Sequence, residues 1–188
     1  MGRHRVPETP VFEADFEAFY AATSGRTFAA IHRVAGGDVY LARDAVQEAY
    51  LAMWKTWHER RGRELEDNRK YVRKIAVHKI LDGYRARRWQ QVELDDDDVA
   101  VLVEDGAFDA VLDELSVWRS VRELLARQPP RRRAVGVLFF LEDLNDQEIA
   151  DVLGISPSTV RTHIERLRAV FRPHRDRIVE LSRGGERW

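Results

Sequence analysis

The stretch NDQEIADVLGISPSTVRTHIERLR, residues 145–168, decides how the rest of the chain is read. Asn145 with Glu148 three residues on makes a capping-box-like start, in which each side chain can reach the other's backbone amide. Ile149, Ala150 and Leu153 form the inward side of a first helix, and Gly154 supplies a tight turn. Ser156 then caps a second helix, with Pro157 at the first position, where a missing amide donor costs nothing. In that second helix Val160, Ile164, Leu167 and Phe171 recur at i, i+4, i+7 and i+11, so they must share one buried face. Two helices joined by so short a turn are a helix-turn-helix.

Rotating by 100° per residue from Val160 leaves Ser158, Thr162, Glu165 and Ala169 opposite the core, flanked by Thr159, Arg161 and Arg166. The outer N-terminal end of this helix is therefore short hydroxyls plus arginines. A DNA major groove needs a slim end that can enter, a positive helix terminus near phosphate, and guanidinium groups able to pair with guanine. The bland alternative is a helical hairpin with a polar outer face. Caps, turn glycine, core spacing and arginine face coincide here, which favours DNA binding.

Outward from this motif nearly every segment reads at a helical period, so the expected fold class is all-α. The region after the acidic stretch predicts helices over 111–126, 130–141, 146–153 and 157–172, with Pro129 and Pro130 ending one helix and starting the next. In the first half, Phe12, Phe16, Phe19 and Tyr20 make an amphipathic helix that Ser24 and Gly25 are expected to interrupt. Phe28, Ile31 and Val34 continue a second stretch, which Gly36-Gly37 ends as a left-handed cap. Asp38 caps the next helix, which runs to about Trp57 with Ala42, Ala45, Val46, Ala49, Tyr50, Met53, Trp54 and Trp57 inward. Trp54 and Trp57 are read as core. A polar, loop-like stretch follows over 58–69, then a helix from Tyr71 to Trp89 whose outer face is mostly cationic.

Charge is arranged in blocks that the net value of −1 conceals. Residues 60–89 carry eleven Lys or Arg against four acids, residues 92–114 carry ten acids and no base, and residues 155–177 carry six Arg against two acids. Two basic blocks separated by an acidic one suit a polyanion held at two places. The acidic segment repels itself and offers little to bury, so it reads as a linker between two small helical domains, 12–89 and 111–181, with 90–110 between them. Asp95 to Asp98 lack the spaced ligands and turn glycine of a calcium loop, so no metal is assigned there.

With no cysteine there is no disulfide framework and no thiolate nucleophile or ligand, which fits a reducing compartment; the cytoplasm is the expected location. The apolar run Val135 to Leu141 is far shorter than the roughly 18 to 20 residues that span a bilayer, and the start MGRHRVPETP has no signal-peptide core. The six histidines show no ligand spacing, and there is no phosphate-cradling glycine loop, Gly-x-Ser-x-Gly elbow or His-Glu-x-x-His pair. No catalytic residue, metal or cofactor is expected, and the chain is not read as an enzyme.

The segment PPRRRAVGVLFFLEDLNDQEIADVLGISPSTVRTHIERLR closely resembles the fourth conserved region of sigma factors, especially the small two-domain extracytoplasmic-function class. RDAVQEAYLAMW, Arg43 to Trp54, resembles the second region of that class, and YVRKIAVHKILDGYRARR, Tyr71 to Arg88, resembles the promoter-melting and minus-ten-reading helix that follows. The resemblance implies that Asp44, Gln47 and Glu48 meet the clamp helices of core RNA polymerase. It implies that Arg63, Asn68, Tyr71, Arg73, Lys74, His78, Arg85 and Arg88 hold the minus-ten element of promoter DNA, with the 60–68 loop trapping an extruded base. It further implies that Ser158, Thr159, Arg161, Thr162 and Arg166 read the minus-thirty-five element. Two departures are His78, where an Asn is usual, and Gly83, where Arg is common. An anti-sigma factor is an implied partner, and the chain is expected to be a monomer away from polymerase. The acidic linker would thread the polymerase cleft, its carboxylates occupying a channel built for nucleic acid; an ordinary solvated tether is the alternative. Two rival readings are a free-standing DNA-binding regulator and a helical protein-interaction adaptor.

Overall fold

Helical periodicity becomes helices throughout the described residues. The computed structural model describes residues 9–91 and 116–174, with side chains described over 15–87 and 121–174. Seven α-helices carry the architecture of these residues: α1 Thr9–Val34, α2 Val39–Arg60, α3 Leu65–Gln91, α4 Ser116–Ala126, α5 Pro130–Gly136, α6 Asp146–Leu153 and α7 Pro157–Phe171. A π-helical turn, Val137–Leu141, extends α5, and a 3₁₀ turn, Arg172–His174, extends α7. No strand occurs among the described residues. The linker expected over 90–110 lies outside the described residues from residue 92 on, as do the expected start of α4 at residue 111 and the chain beyond residue 174.

Helices α1 to α3 form one bundle. The expected break at Ser24 and Gly25 does not occur, because the opposite face of α1 is held by α2. Thr23 Oγ1 donates to Phe19 O at 2.6 Å and shares a 2.8 Å bond with Tyr50 Oη, which in turn donates to Thr27 Oγ1 at 3.2 Å. Gly25 points to open space, so its intrinsic helix penalty of about 1 kcal/mol is all it contributes, and packing of the turns on either side outweighs it. Phe16 sits edge-on to Trp54 and Trp57 at centroid distances of 4.8 and 5.4 Å; Trp57 is buried in the core as expected, whereas Trp54 is only half-buried at its edge. Gly36 and Gly37 have positive φ, and Asp38 caps α2 through the Leu41 amide at 2.9 Å. Partial burial works to raise the pKa of Asp38, but the Leu41 amide and the Arg87 guanidinium together outweigh it and hold the carboxyl below its ordinary value.

The polar stretch over 58–69 is mostly helix rather than loop. Only residues 61–64 lie between α2 and α3. Asn68, 2% exposed, explains the difference: its Nδ2 donates to Arg60 O at 3.1 Å, satisfying a carbonyl at the end of α2 while sitting in the first turns of α3.

Helices α4 to α7 form the second unit around Leu125, Leu138, Ile149, Val160, Ile164, Leu167 and Phe171. The two units share one continuous buried core. The decisive link is Arg133, 3% exposed on α5. Its Nε donates to Val34 O at 2.9 Å and its Nη1 to Ala126 O at 3.0 Å, the last residues of α1 and α4. Helix C-termini carry partial negative charge and unpaired carbonyls, so two of them converging make a cradle for a guanidinium. The Tyr84 ring lies 5.0 Å below, and the close approach to Gly36 leaves no room for a Cβ, which would stand 2.6 Å from Arg133 Nη1.

Replacing Arg133 by Met leaves those carbonyls buried without a donor and costs about 1–3 kcal/mol in urea unfolding. Arg131→Met, at an exposed neighbour, stays within about 0.5 kcal/mol of the parent. Equal effects of the two changes contradict the cradle.

Candidate nucleic-acid interface

The helix-turn-helix forms as its caps dictate. Glu148 N donates to Asn145 Oδ1 at 2.9 Å and Asn145 N to Glu148 Oε2 at 3.1 Å, a complete capping box. Gly154 takes the left-handed conformation, φ 63°, that the turn demands. Thr159 N donates to Ser156 Oγ at 3.1 Å. Val160, Ile164, Leu167 and Phe171 are buried, which fixes the rotation of α7 and turns Ser158, Thr159, Arg161, Thr162 and Arg166 to the exposed side. Arg161 Nη1 meets Asp146 Oδ2 at 2.5 Å, so α6 holds this guanidinium at the outer rim of the motif. Burial first, then Arg132, Arg166 and Arg131, hold His163 below its ordinary value.

The second basic surface lies on α3. Arg63 is exposed in the α2–α3 connection, and Lys74 and Arg85 are exposed on the helix, Arg85 paired with Asp82 at 2.9 Å. Arg87 pairs with the cap Asp38 at 2.8 Å. Tyr71 is half-buried under the Arg60 guanidinium, 4.0 Å from the ring centroid. Arg88 belongs to α3, and its side chain lies outside the described residues. Three expected contact residues are covered in this conformation: Asn68 is bonded to Arg60 O, Arg73 is 7% exposed, and His78 Nε2 makes a 2.8 Å bond to Val152 O in α6. Gly83 faces Leu41, which stands 2.9 Å from where a Cβ would sit, so α3 approaches α2 closely at that point.

On α2, Asp44, Gln47 and Glu48 are exposed together, with Glu48 paired to Lys79 of α3. Sequence reasoning missed their neighbours Tyr40 and Leu51, 77% and 51% exposed. Residues 40, 44, 47 and 51 fall on one helical stripe, and two large apolar groups left uncovered at its ends give it the composition of a protein contact surface. The signal was available: both residues fall off the inward stripe of α2.

No cluster of three or more His, Asp or Glu among the described residues could hold a metal ion. No described helix is long and apolar enough to cross a membrane.

Comparison with known proteins agrees with this geometry. Residues 19–90 match the family model Sigma-70 region 2, and residues 118–169 match Sigma-70, region 4. An RNA polymerase sigma-E factor of Streptomyces avermitilis is 24% identical over 131 residues, 70% of this chain and 69% of that protein. The ECF RNA polymerase sigma factor SigW of Bacillus subtilis is 25% identical over 147 residues, 72% of this chain and 76% of that protein. The sigma factor RpoE of Bartonella quintana, crystallised in complex with the anti-sigma factor NepR, superposes with a TM-score of 0.63 at 15% identity, covering 90% of this chain and 99% of that one; this likeness is one of fold. With both regions present in order around a shared helical core, the chain belongs to the sigma-70 family, in its extracytoplasmic-function class, and is an alternative sigma factor that directs RNA polymerase to promoters.

Proposed function

We propose a division of labour between the two units. The α1–α3 bundle docks on the clamp helices of core RNA polymerase through the stripe of Tyr40, Asp44, Gln47 and Leu51, with Glu48 beside it. The α3 face, with Arg63, Tyr71, Arg73, Lys74, His78, Arg85 and Arg88, holds the minus-ten element and stabilises it once melted, because cations neutralise phosphate and aromatic rings stack on unpaired bases. The α7 face reads the minus-thirty-five element through Arg161 and Arg166, with Ser158, Thr159 and Thr162 close to the backbone. Catalysis belongs to the polymerase, and the place of action is the cytoplasm.

The single observation that carries this reading is the rotation of α7. Its four apolar residues are buried in one seam, so its hydroxyls and arginines can face only outward, at the end of the helix that a major groove admits. An anti-sigma partner is part of the proposal by analogy with the Bartonella sigma factor, which was crystallised with one.

Changing Asp44 and Gln47 to Ala together weakens core-polymerase binding about tenfold, the scale of one to two moderate interface side chains. The thermal unfolding of the variant stays that of the parent; unaltered association removes this surface from the account. Arg161→Ala costs about 1–3 kcal/mol of discrimination between upstream elements if it pairs with a base edge, read by competition binding of the polymerase complex to promoter variants. A loss of equal size on every sequence reassigns Arg161 to the phosphate backbone.

A further inference from the structure

Where α1 and α3 meet the second unit, four arginines gather: Arg26 and Arg33 from α1, Arg69 and Arg73 from α3. Glu66 of α3 answers two of them, at 2.6 Å to Arg69 Nη1 and 3.5 Å to Arg73 Nη2. A further carboxylate in contact with these arginines comes from the second unit. Glu142 Oε1 lies 3.5 Å from Arg33 Nη1 and Oε2 lies 3.9 Å from Arg73 Nη1. Four guanidinium charges thus face two carboxylates in direct contact, with Glu148 of α6 acting on Arg73 from further off. The Nε atoms of Arg33, Arg69 and Arg73 are buried with no acceptor among the described residues. Beside Glu142 a cavity of about 10 Å³, lined by Arg26, Thr27, Ala30, Arg69 and Arg73, is left over, room for one water.

A carboxylate fills this site loosely. Its two oxygens make only long contacts, while the arginines offer more donors and more positive charge than it uses. A phosphodiester is a larger, tetrahedral anion with more acceptor oxygens, and arginine forks suit it. It would fill the place of Glu142 and the neighbouring cavity together. The segment that delivers Glu142 is itself unusual: the π-helical Val137–Leu141 precedes it, and Asp143 directly after it has φ 58°. Such departures from regular backbone cluster where a side chain is being aimed.

We propose that Arg26, Arg33, Arg69 and Arg73 form a phosphodiester-binding site for the DNA strand held along α3, and that Glu142 occupies this site as an internal stand-in for phosphate. The inference rests on the reading of α3 as the minus-ten surface. It adds Arg26 and Arg33 to that surface and makes the closed conformation self-masking. The same closure covers Arg73, bonds His78 to Val152 O and pairs Lys70 with Glu148 at 3.3 Å. The contacts that keep Glu142 in this place are long, 3.5 Å to Arg33 and 3.9 Å to Arg73, and burial, the largest influence on each, raises the Glu142 pKa and lowers that of Arg73.

The test uses the full chain without polymerase and a fluorescein-labelled 12-nucleotide single-stranded DNA, read by anisotropy at several salt concentrations. Glu142→Gln binds the oligonucleotide about tenfold more tightly than the parent, a shift of one decade in Kd. Asp151→Asn removes the same charge from neighbouring α6, where the carboxylate accepts from Gln147 Nε2 at 3.2 Å rather than filling the arginine site, and stays within about twofold of the parent. Adding Arg26→Ala or Arg33→Ala to Glu142→Gln cuts the gain at least about threefold and lowers the salt slope by about one. Spin labels on Lys55→Cys and Ala169→Cys, the only thiols in the chain, report a longer distance in Glu142→Gln than in its parent. Should the Gln variant fold poorly, Glu142→Ala gives the same comparison.

Binding by Glu142→Gln no tighter than by Asp151→Asn overturns the proposal, as does a gain indifferent to Arg26 and Arg33. Displacement of the oligonucleotide by polyglutamate but not by a second DNA strand would make the site one for an acidic protein, and equally overturns it. Failure of the underlying reading looks different: the parent chain then gives no promoter-dependent initiation with core polymerase, whatever stands at position 142.

Discussion

A guanidinium held between two helix ends organises this molecule. Arg133 has no carboxylate among its hydrogen-bond partners; it is held by the carbonyls that α1 and α4 cannot satisfy themselves, with the Tyr84 ring against it. Burial lowers its pKa, and the Tyr84 side chain, through its charge interaction and hydrogen bond, offsets part of that. Removing either helix end would leave a buried charge short of acceptors, so the cradle demands both units at once. From that point the second unit is oriented: α6 lies along α3, Leu144 and Val152 pack inward, and the outer residues of α7 stay exposed.

Legibility in the sequence followed the range of the interaction. The helix-turn-helix was readable almost to the residue because Asn145, Glu148, Gly154, Ser156 and Pro157 act within three or four positions of one another, and the seam of α7 is a plain period. The cap at Asp38 and the inward stripe of α2 were readable for the same reason. What depends on distant partners was not. Ser24 and Gly25 look like a break until Tyr50 is seen holding the other face of α1. The 58–69 stretch looks like a loop until Asn68 is seen tied to Arg60 O. Arg133, Glu142 and Arg33 act across the two units, and Arg133 reaches a carbonyl 99 residues away; nothing local announces such a contact.

The candidate DNA residues accordingly divide by exposure rather than by sequence position. Those on α7 and at Arg63, Lys74 and Arg85 stand open, whereas Asn68, Arg73 and His78 are engaged inside the protein. Asn68 holds the end of a helix, so its contribution to DNA binding would be to fix the shape of the α2–α3 connection. His78 is bonded to Val152 of the other unit, and Arg73 lies between Glu142 of the other unit and Glu66 of its own helix. The charge blocks of the sequence thus acquire different meanings in three dimensions: one basic face is available, and the other is partly answered by acids of the same chain.

The function of the whole chain is tested most directly by run-off transcription with core RNA polymerase, the purified chain and a library of random upstream sequences. The account predicts transcripts that start at discrete positions only when the chain is added, from templates sharing two separated sequence elements. Transcription no different from that of core polymerase alone, across the full library, would contradict it.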